Sequence, residues 1–358
     1  MSAIFGHLNI SDSDRVFNAT AGQRVIYDAA TAYIERINNE LNQALSIFLE
    51  ETTQEYKRRY KLPGGGYLQA RQPDGRFGSV KTIGQWDVAF PLRDYGAQIS
   101  GNDVDMAYMT VAELDRHIST VVAQNVNTIR FELLKALLNN VQETFVDPIW
   151  GSLLVEPLAN DDAVTYPPVL GSASEATENH YLESNYASSG ISDTNNPYVT
   201  IKDELEEHFG QAAGGSNIAV FINPAERAKT EALADYDPVN DRFIRPGADT
   251  DIVLPLPANH PGTILGRTNG VWVVEWRFVP AAYMVGIHLD APKPLVRRID
   301  PADTGLGDGL QLVAENEEFP FKASFWRHRF GFGAGNRLNG VVLELGTGGT
   351  YSIPSGYS

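Results

Sequence analysis

Residues 110–147 read TVAELDRHISTVVAQNVNTIRFELLKALLNNVQETFVD, a run without glycine or proline. Its apolar positions, Val111, Leu114, Ile118, Val122, Val126, Ile129, Leu133, Leu137, Val141 and Phe145, recur at the three-and-four spacing of one helical face. Thr110 with Glu113 forms a capping box at the start, and Pro148 stops the run. The spacing therefore predicts a single helix over 110–147, on the order of 50 Å long at 1.5 Å per residue. A compact chain of this length has a diameter of about the same size, so one helix would span the body. That suits a strut or plate better than a fold wrapped around a pocket.

The remainder bounds the class. The chain has 358 residues, 43% of them hydrophobic, a formal net charge of −17 and no cysteine. Length predicts two subdomains, and hydrophobic content predicts a folded chain. Disulfides, thiolate metal sites and cysteine nucleophiles are excluded. The acidic balance argues against tight phosphate-backbone binding, which requires clustered Lys and Arg. The opening residues show no secretory signal pattern. The most apolar stretch, 271–289, is broken by Glu275, Arg277, Pro280 and His288, so it reads as strands and not as a membrane span.

Upstream of the decisive stretch, Thr20 and Gln23 form a second capping box, and no Gly or Pro falls between Gln23 and Leu62. Ile26, Ala30, Tyr33, Ile37, Leu41, Leu45, Phe48 and Leu49 keep helical spacing. Lys57, Arg58, Arg59 and Lys61 then read as cations complementing the helix dipole. Between the two helices, Gln72-Pro73-Asp74-Gly75 is a type I turn signature, and Trp86, Val88, Phe90 and Leu92 alternate with Asp87, Ala89, Pro91 and Arg93. This predicts a long two-stranded hairpin. Its rings, Tyr67, Phe77, Trp86 and Phe90, need a cover, and a neighbouring subunit is the expected one.

Downstream, 153–157 and 163–169 read as short strands, and 171–197 as a polar loop or insertion. Thr200 with Asp203 caps a helix ending near Gly210, and 217–222 is a buried strand. Asn223-Pro224 starts another helix, and Asn269-Gly270 joins two strands as a hairpin. The stretch 291–309 reads as a linker, with closing strands at 319–330 and 340–345.

Chemistry is scarce. Gly331-Phe332-Gly333-Ala334-Gly335 and Gly305-Leu306-Gly307-Asp308-Gly309 precede no helix, so both read as turns and not phosphate cradles. The seven histidines, with His117 on the long helix as a residue solvated or at an interface, show no metal-ligand pairing on one helix. Asp235, Asp237 and Asp241 resemble part of a calcium loop, but Asn240 and Pro246 stand where its glycine and glutamate belong. No nucleophile-base pair appears, and Trp272, Trp276 and Trp326 read as core. The expectation is no enzyme, no cofactor and no metal.

In order and style, these elements resemble the major capsid proteins of tailed bacteriophages, the Hong Kong 97-like fold. The segments most like the family are 86–92 leading into the long helix, 217–226, and Phe325-Trp326-Arg327-His328-Arg329-Phe330-Gly331. The resemblance implies an α+β fold with six parts. These are an N-terminal arm with a long helix (1–61), an extended β-hairpin loop (62–104) and a peripheral domain with the spine helix (105–195). A mixed α/β axial domain (196–290), closing peripheral strands (291–345) and a C-terminal tail (346–358) complete it.

It also implies a role. Such a protein self-assembles as hexamers and pentamers into an icosahedral shell around double-stranded DNA, which it contacts non-specifically. Its partners are copies of itself, a portal protein, a scaffolding protein and, in some relatives, a decoration protein. Localisation is the virion, after assembly in the host cytoplasm. Tyr67, Phe77, Lys81, Trp86, Phe90, Arg58 and Arg59 become the expected inter-subunit contacts. Some relatives crosslink a hairpin lysine to a neighbour's asparagine with the help of a glutamate, which directs attention to Lys81, Asn336, Asn339 and Glu344, although no motif aligns them. An encapsulin-type nanocompartment shell is the alternative; its members are usually shorter than this chain.

Overall fold

The computed structural model describes residues 23–61, 68, 70–77, 85–172, 174–184, 190–209, 217–238, 256, 260–316 and 321–358. Thr20, Tyr67, Lys81, Asn240, Asp241 and Pro246 lie outside them. In chain order the elements are α1 (Gln23–Leu45), β1 (Leu49–Thr53), β2 (Lys57–Lys61), β3 (Gln85–Ala89), β4 (Arg93–Asn102), α2 (Asp103–Tyr108) and α3 (Val111–Leu138). Then come β5 (Glu143–Asp147), β6 (Gly151–Val155), β7 (Tyr181–Glu183), α4 (Pro197–Phe209), β8 (Ile218–Ile222), α5 (Arg227–Glu231) and β9 (Tyr236–Pro238). The last are β10 (Thr263–Thr268), β11 (Val271–Glu275), β12 (Tyr283–His288), β13 (Leu295–Arg298), β14 (Gln311–Asn316), β15 (Phe321–Ala334) and β16 (Val341–Glu344).

The chain divides into two compact units, and α1, α3 and β15 each run from one to the other. In the smaller unit, Leu114, Ile118, Val121 and Val122 of α3 bury against Ile34, Ile99, Leu310 and Trp326. One polar contact is sealed within it: Asn125 Oδ1 meets His328 Nδ1 at 2.7 Å, both side chains buried. His117 is exposed, as the sequence predicts. The larger unit is built on a seven-stranded sheet, β7-β16-β12-β8-β11-β10-β9. Every residue of its middle strand β8 is buried, which explains the unbroken apolar run Ile218-Ala219-Val220-Phe221-Ile222. Tyr198, Ile201 and Leu205 of α4 pack into the same core.

Several local signals perform as read. Thr110 Oγ1 accepts from Glu113 N–H at 3.3 Å, and Glu113 Oε2 accepts from Thr110 N–H at 2.8 Å, so the capping box starts α3. Asn223 accepts from Ala225 N–H and caps a 3-10 turn that leads into α5. Asn269 and Gly270 both have positive φ, 48° and 85°, the turn that joins β10 to β11.

Other readings are corrected. Helix α3 stops at Leu138, nine residues short of Asp147, because the Asn139 side chain accepts from Val141 N–H and turns the chain. Val141 is exposed and Phe145 lies on β5, paired antiparallel with β6. The first helix likewise ends at Leu45; of the periodic positions beyond it, Phe48 falls in a turn and Leu49 opens β1, which pairs parallel with β13. Phe48, fully buried, sits 4.9 Å from Phe221 and 5.6 Å from Trp276 between ring centroids. The supposed linker 291–309 contains β13, held between β1 and β15. Helix α4 begins three residues before Thr200, capped by Asn196 with Pro197 in its first turn. The stretch 163–169 makes only an isolated bridge at Tyr166.

Gly331 and Gly333 are inside β15 and not in a turn. A Cβ on Gly331 would stand 2.1 Å from Pro91 O, and one on Gly333 would stand 2.7 Å from the Phe90 ring. The glycines let that strand pass against the 89–91 backbone.

Candidate inter-subunit surface

Strands β2 and β3 form the two-stranded ribbon, with Arg58 opposite Val88, Arg59 opposite Asp87 and Tyr60 opposite Trp86. The ribbon itself agrees with the hairpin expectation, but its first strand is the basic run that the sequence places at a helix end. Alternation gives it two different faces. Inward, Trp86 is buried between Tyr60 and Tyr166, each with ring centroids 5.5 Å away. Phe90 follows, fully buried, with the Arg58 guanidinium 6.0 Å from its ring. The chain itself thus covers two of the rings expected to need a neighbour. The physical reason is the 160s segment, whose Tyr166 and Val164 pack on Trp86 without regular secondary structure to announce it.

Outward, Lys57, Arg59 and Lys61 stand exposed in alternation. Arg59 forks onto Asp87 at 2.6 and 2.9 Å, and Lys57 reaches the same carboxylate at 2.7 Å. The Arg59 and Lys57 hydrogen bonds hold the Asp87 carboxyl well below the usual range. Two cations thereby share one carboxylate and exposed Lys61 adds a third charge to the same face, leaving it positive on an otherwise acidic chain. Arg58 binds Glu51, Glu55 and Thr53 of its own chain, so no helix terminus is involved. Farther out, Phe77 is 72% exposed, with Arg71 stacked 5.7 Å from its ring beyond the Gln72–Gly75 turn. Leu68 is exposed as well. Asn339 is fully buried, where it accepts from His288 N–H and donates to His288 and Pro292 carbonyls. It has no free amide to offer a crosslink.

The sequence reading missed a second surface, the β5–β6 hairpin. Val146, Ile149, Trp150 and Leu154 are all exposed on it, Ile149 by 79%. Val146 and Leu154 lie on the same face, given the Thr144↔Leu154 and Val146↔Ser152 pairs. The turn is fixed from beneath. Asp147 accepts N–H bonds from Ile149 and Trp150 at 2.8 and 3.0 Å and a charged bond from Arg298 at 2.9 Å. Burial alone would raise Asp147, but those bonds outweigh it and hold the carboxyl below its ordinary value. Trp150 stacks on Tyr56 at 4.2 Å, which ties the hairpin to the root of β2. These exposed apolar side chains make the hairpin a candidate interaction surface. Its sequence signal is Ile149-Trp150 after Pro148, masked by the helical spacing that continues through 141–147.

Among the described residues one set could hold a metal ion: Glu178, Glu207 and His208, whose ligand atoms all lie within 4.8 Å of one another. No helix is long and apolar enough to cross a membrane among those residues.

No protein-family profile matches the sequence, and no curated protein is detectably related to it. Solved structures do match. A structure from Mycobacterium phage Patience superposes with a TM-score of 0.65 at 17% identity, covering 97% of each chain. The asymmetric unit of the bacteriophage PhiM1 mature capsid superposes at 0.51 with 12% identity, covering 96% of this chain and 91% of that one. A virus-like particle from Pyrococcus furiosus reaches only 0.40 at 11% identity, too low to bear on the reading. The chain thus has the α+β fold of tailed-phage capsid proteins, in agreement with the resemblance read from its sequence.

Proposed function

We propose that this chain is the major capsid protein of a tailed bacteriophage, a structural and non-catalytic subunit that assembles as hexamers and pentamers into an icosahedral shell around double-stranded DNA. The observation that carries the reading is the fold shared with the PhiM1 mature capsid subunit along nearly the whole of both chains. Copies of the chain meet over the positive face of the β2–β3 ribbon with Phe77 beyond it, and over the apolar β5–β6 hairpin. Many modest contacts of this kind add up without any single strong interface. On this reading the six segments of the sequence analysis are arm, extended loop, peripheral domain, axial domain, closing strands and tail. Portal and scaffolding proteins are its assembly partners, with a decoration protein as an optional outer layer. The net charge of −17 keeps contact with packaged DNA non-specific and weak. No observation among the described residues favours the nanocompartment alternative.

Concentrated, purified protein imaged by negative stain should show closed shells or their capsomers. A stable monomer of 39.3 kDa at every concentration, fully protected from hydrogen exchange, would overturn the proposal.

A further inference from the structure

The carboxyl end of α4 is built against its own electrostatics. Its last turns carry Glu204, Glu206 and Glu207, where the helix dipole is already negative, and the basic residue there is His208. Glu178, from the segment that follows the Tyr166↔Ala176 bridge, brings a further carboxylate to the same place. Among the described residues, no Lys or Arg pairs with Glu178, Glu204 or Glu207. Burial, with the Glu207 and Glu178 charges beside it, pushes the Glu204 carboxyl up to about 7.

The histidine does not supply the missing charge. Only 4% of the His208 side chain is exposed, and its Nε2 has no hydrogen-bond partner, standing 3.5 Å from Glu207 Oε1. Behind it lies His180, fully buried, its ring stacked on His208 with centroids 5.5 Å apart. His180 Nδ1 lies 3.0 Å from Gly340 O, so that nitrogen carries the proton and Nε2 keeps a lone pair without a partner. Burial holds both rings below the ordinary imidazole value. A buried imidazole nitrogen without a hydrogen-bond partner, facing two carboxylates, is a ligand set without a cation.

We propose that Glu178, Glu207 and His208 bind one divalent transition-metal ion of the zinc class, which ties the 174–180 segment to the carboxyl end of α4. Imidazole with carboxylates suits zinc and its neighbours, whereas calcium and magnesium take oxygen ligands alone. Ligands of one tetrahedral zinc stand roughly 3.3 Å apart, so small side-chain rotations close the set from its present 4.8 Å limit. The site does not depend on the shell reading, since it lies wholly within the larger unit.

The test uses full-length protein stripped with a chelator, then equilibrated with zinc chloride. Metal is counted by mass spectrometry and affinity measured by calorimetry. The expected result is about one zinc per chain with a raised melting temperature. Glu178→Gln and His208→Asn should each weaken binding by about ten-fold or more. Cobalt(II) should give visible absorption bands that His208→Asn removes. Should His208→Asn fail to fold, Glu178→Gln carries the test alone, because its side chain is only half-buried. Without metal, that variant should be at least as stable as the wild type, since it removes repulsion. Negligible zinc uptake, or equal uptake by wild type and Glu178→Gln, would overturn the proposal.

Discussion

Among the described residues Arg337 is the most deeply buried Lys, Arg, Asp or Glu, fully enclosed in the larger unit. Its Nε donates to Pro157 O at 2.7 Å, and Nη2 donates to Leu158 O and to Asp162 at 2.6 Å, while the guanidinium faces the Tyr166 ring. A planar fork meets these acceptors and an ammonium does not. Arg337→Lys should therefore cost on the order of 2 to 3 kcal/mol through carbonyls left unpaired, read as a lower urea midpoint. A loss below about 0.5 kcal/mol, the range of an ordinary surface change, would show the fork to be dispensable. Asp147 makes a second residue-scale case. Asp147→Ala strands buried Arg298 and should cost about 3 to 5 kcal/mol. Because its folded pKa is depressed, its contribution is present above the unfolded value of about 3.9 and is lost as pH falls through the folded value. The stability gap between wild type and Asp147→Asn should accordingly narrow below about pH 4. A gap independent of pH would place the stabilisation elsewhere.

At the scale of elements, α3 and the β5–β6 hairpin behave oppositely. Leu133 is fully buried in the helix interior. Proline there removes a hydrogen bond and clashes with the preceding turn, costing about 3 kcal/mol or more. Leu133→Pro should abolish soluble protein, and a soluble product with an unchanged melt would contradict the helix's central role. The hairpin is held firmly from beneath but apolar outside. Val146→Lys with Ile149→Glu changes exposed side chains, so monomer stability should move by no more than about 0.5 kcal/mol. Assembly, followed by light scattering, should fall sharply. Assembly at the wild-type critical concentration would remove this hairpin from the interface.

For the molecule as a whole, the shell reading separates folding from assembly. The base of the ribbon is buried in its own chain through Trp86, Val88 and Phe90. Replacing residues 65–84 with a short Gly-Ser turn should thus leave circular dichroism and thermal melting close to wild type. Closed shells should not form. Normal particles from that variant would mean that the loop does not clamp neighbours. The acidic surface adds a second lever, since repulsion between copies carrying a charge of −17 is screened by salt.

The sequence determined what local chemistry can specify. The Thr110 capping box, the Asn223-Pro224 helix start, the Asn269-Gly270 turn and the buried run of β8 were all legible, because each depends on bonds within a few residues. Element order was legible too, and with it the capsid fold. Tertiary structure alone decided the ends of α1 and α3, the strand in 291–309 and the passage of Gly331 and Gly333 beneath Phe90 and Pro91. Those outcomes turn on strand pairing and close approach between residues far apart in the chain, which periodicity does not record. For the same reason, Trp86 and Phe90 went inward, whereas Ile149 and Trp150 faced out. Glu178 meets His208 only because the chain between them folds back, so no spacing along the sequence could have joined them.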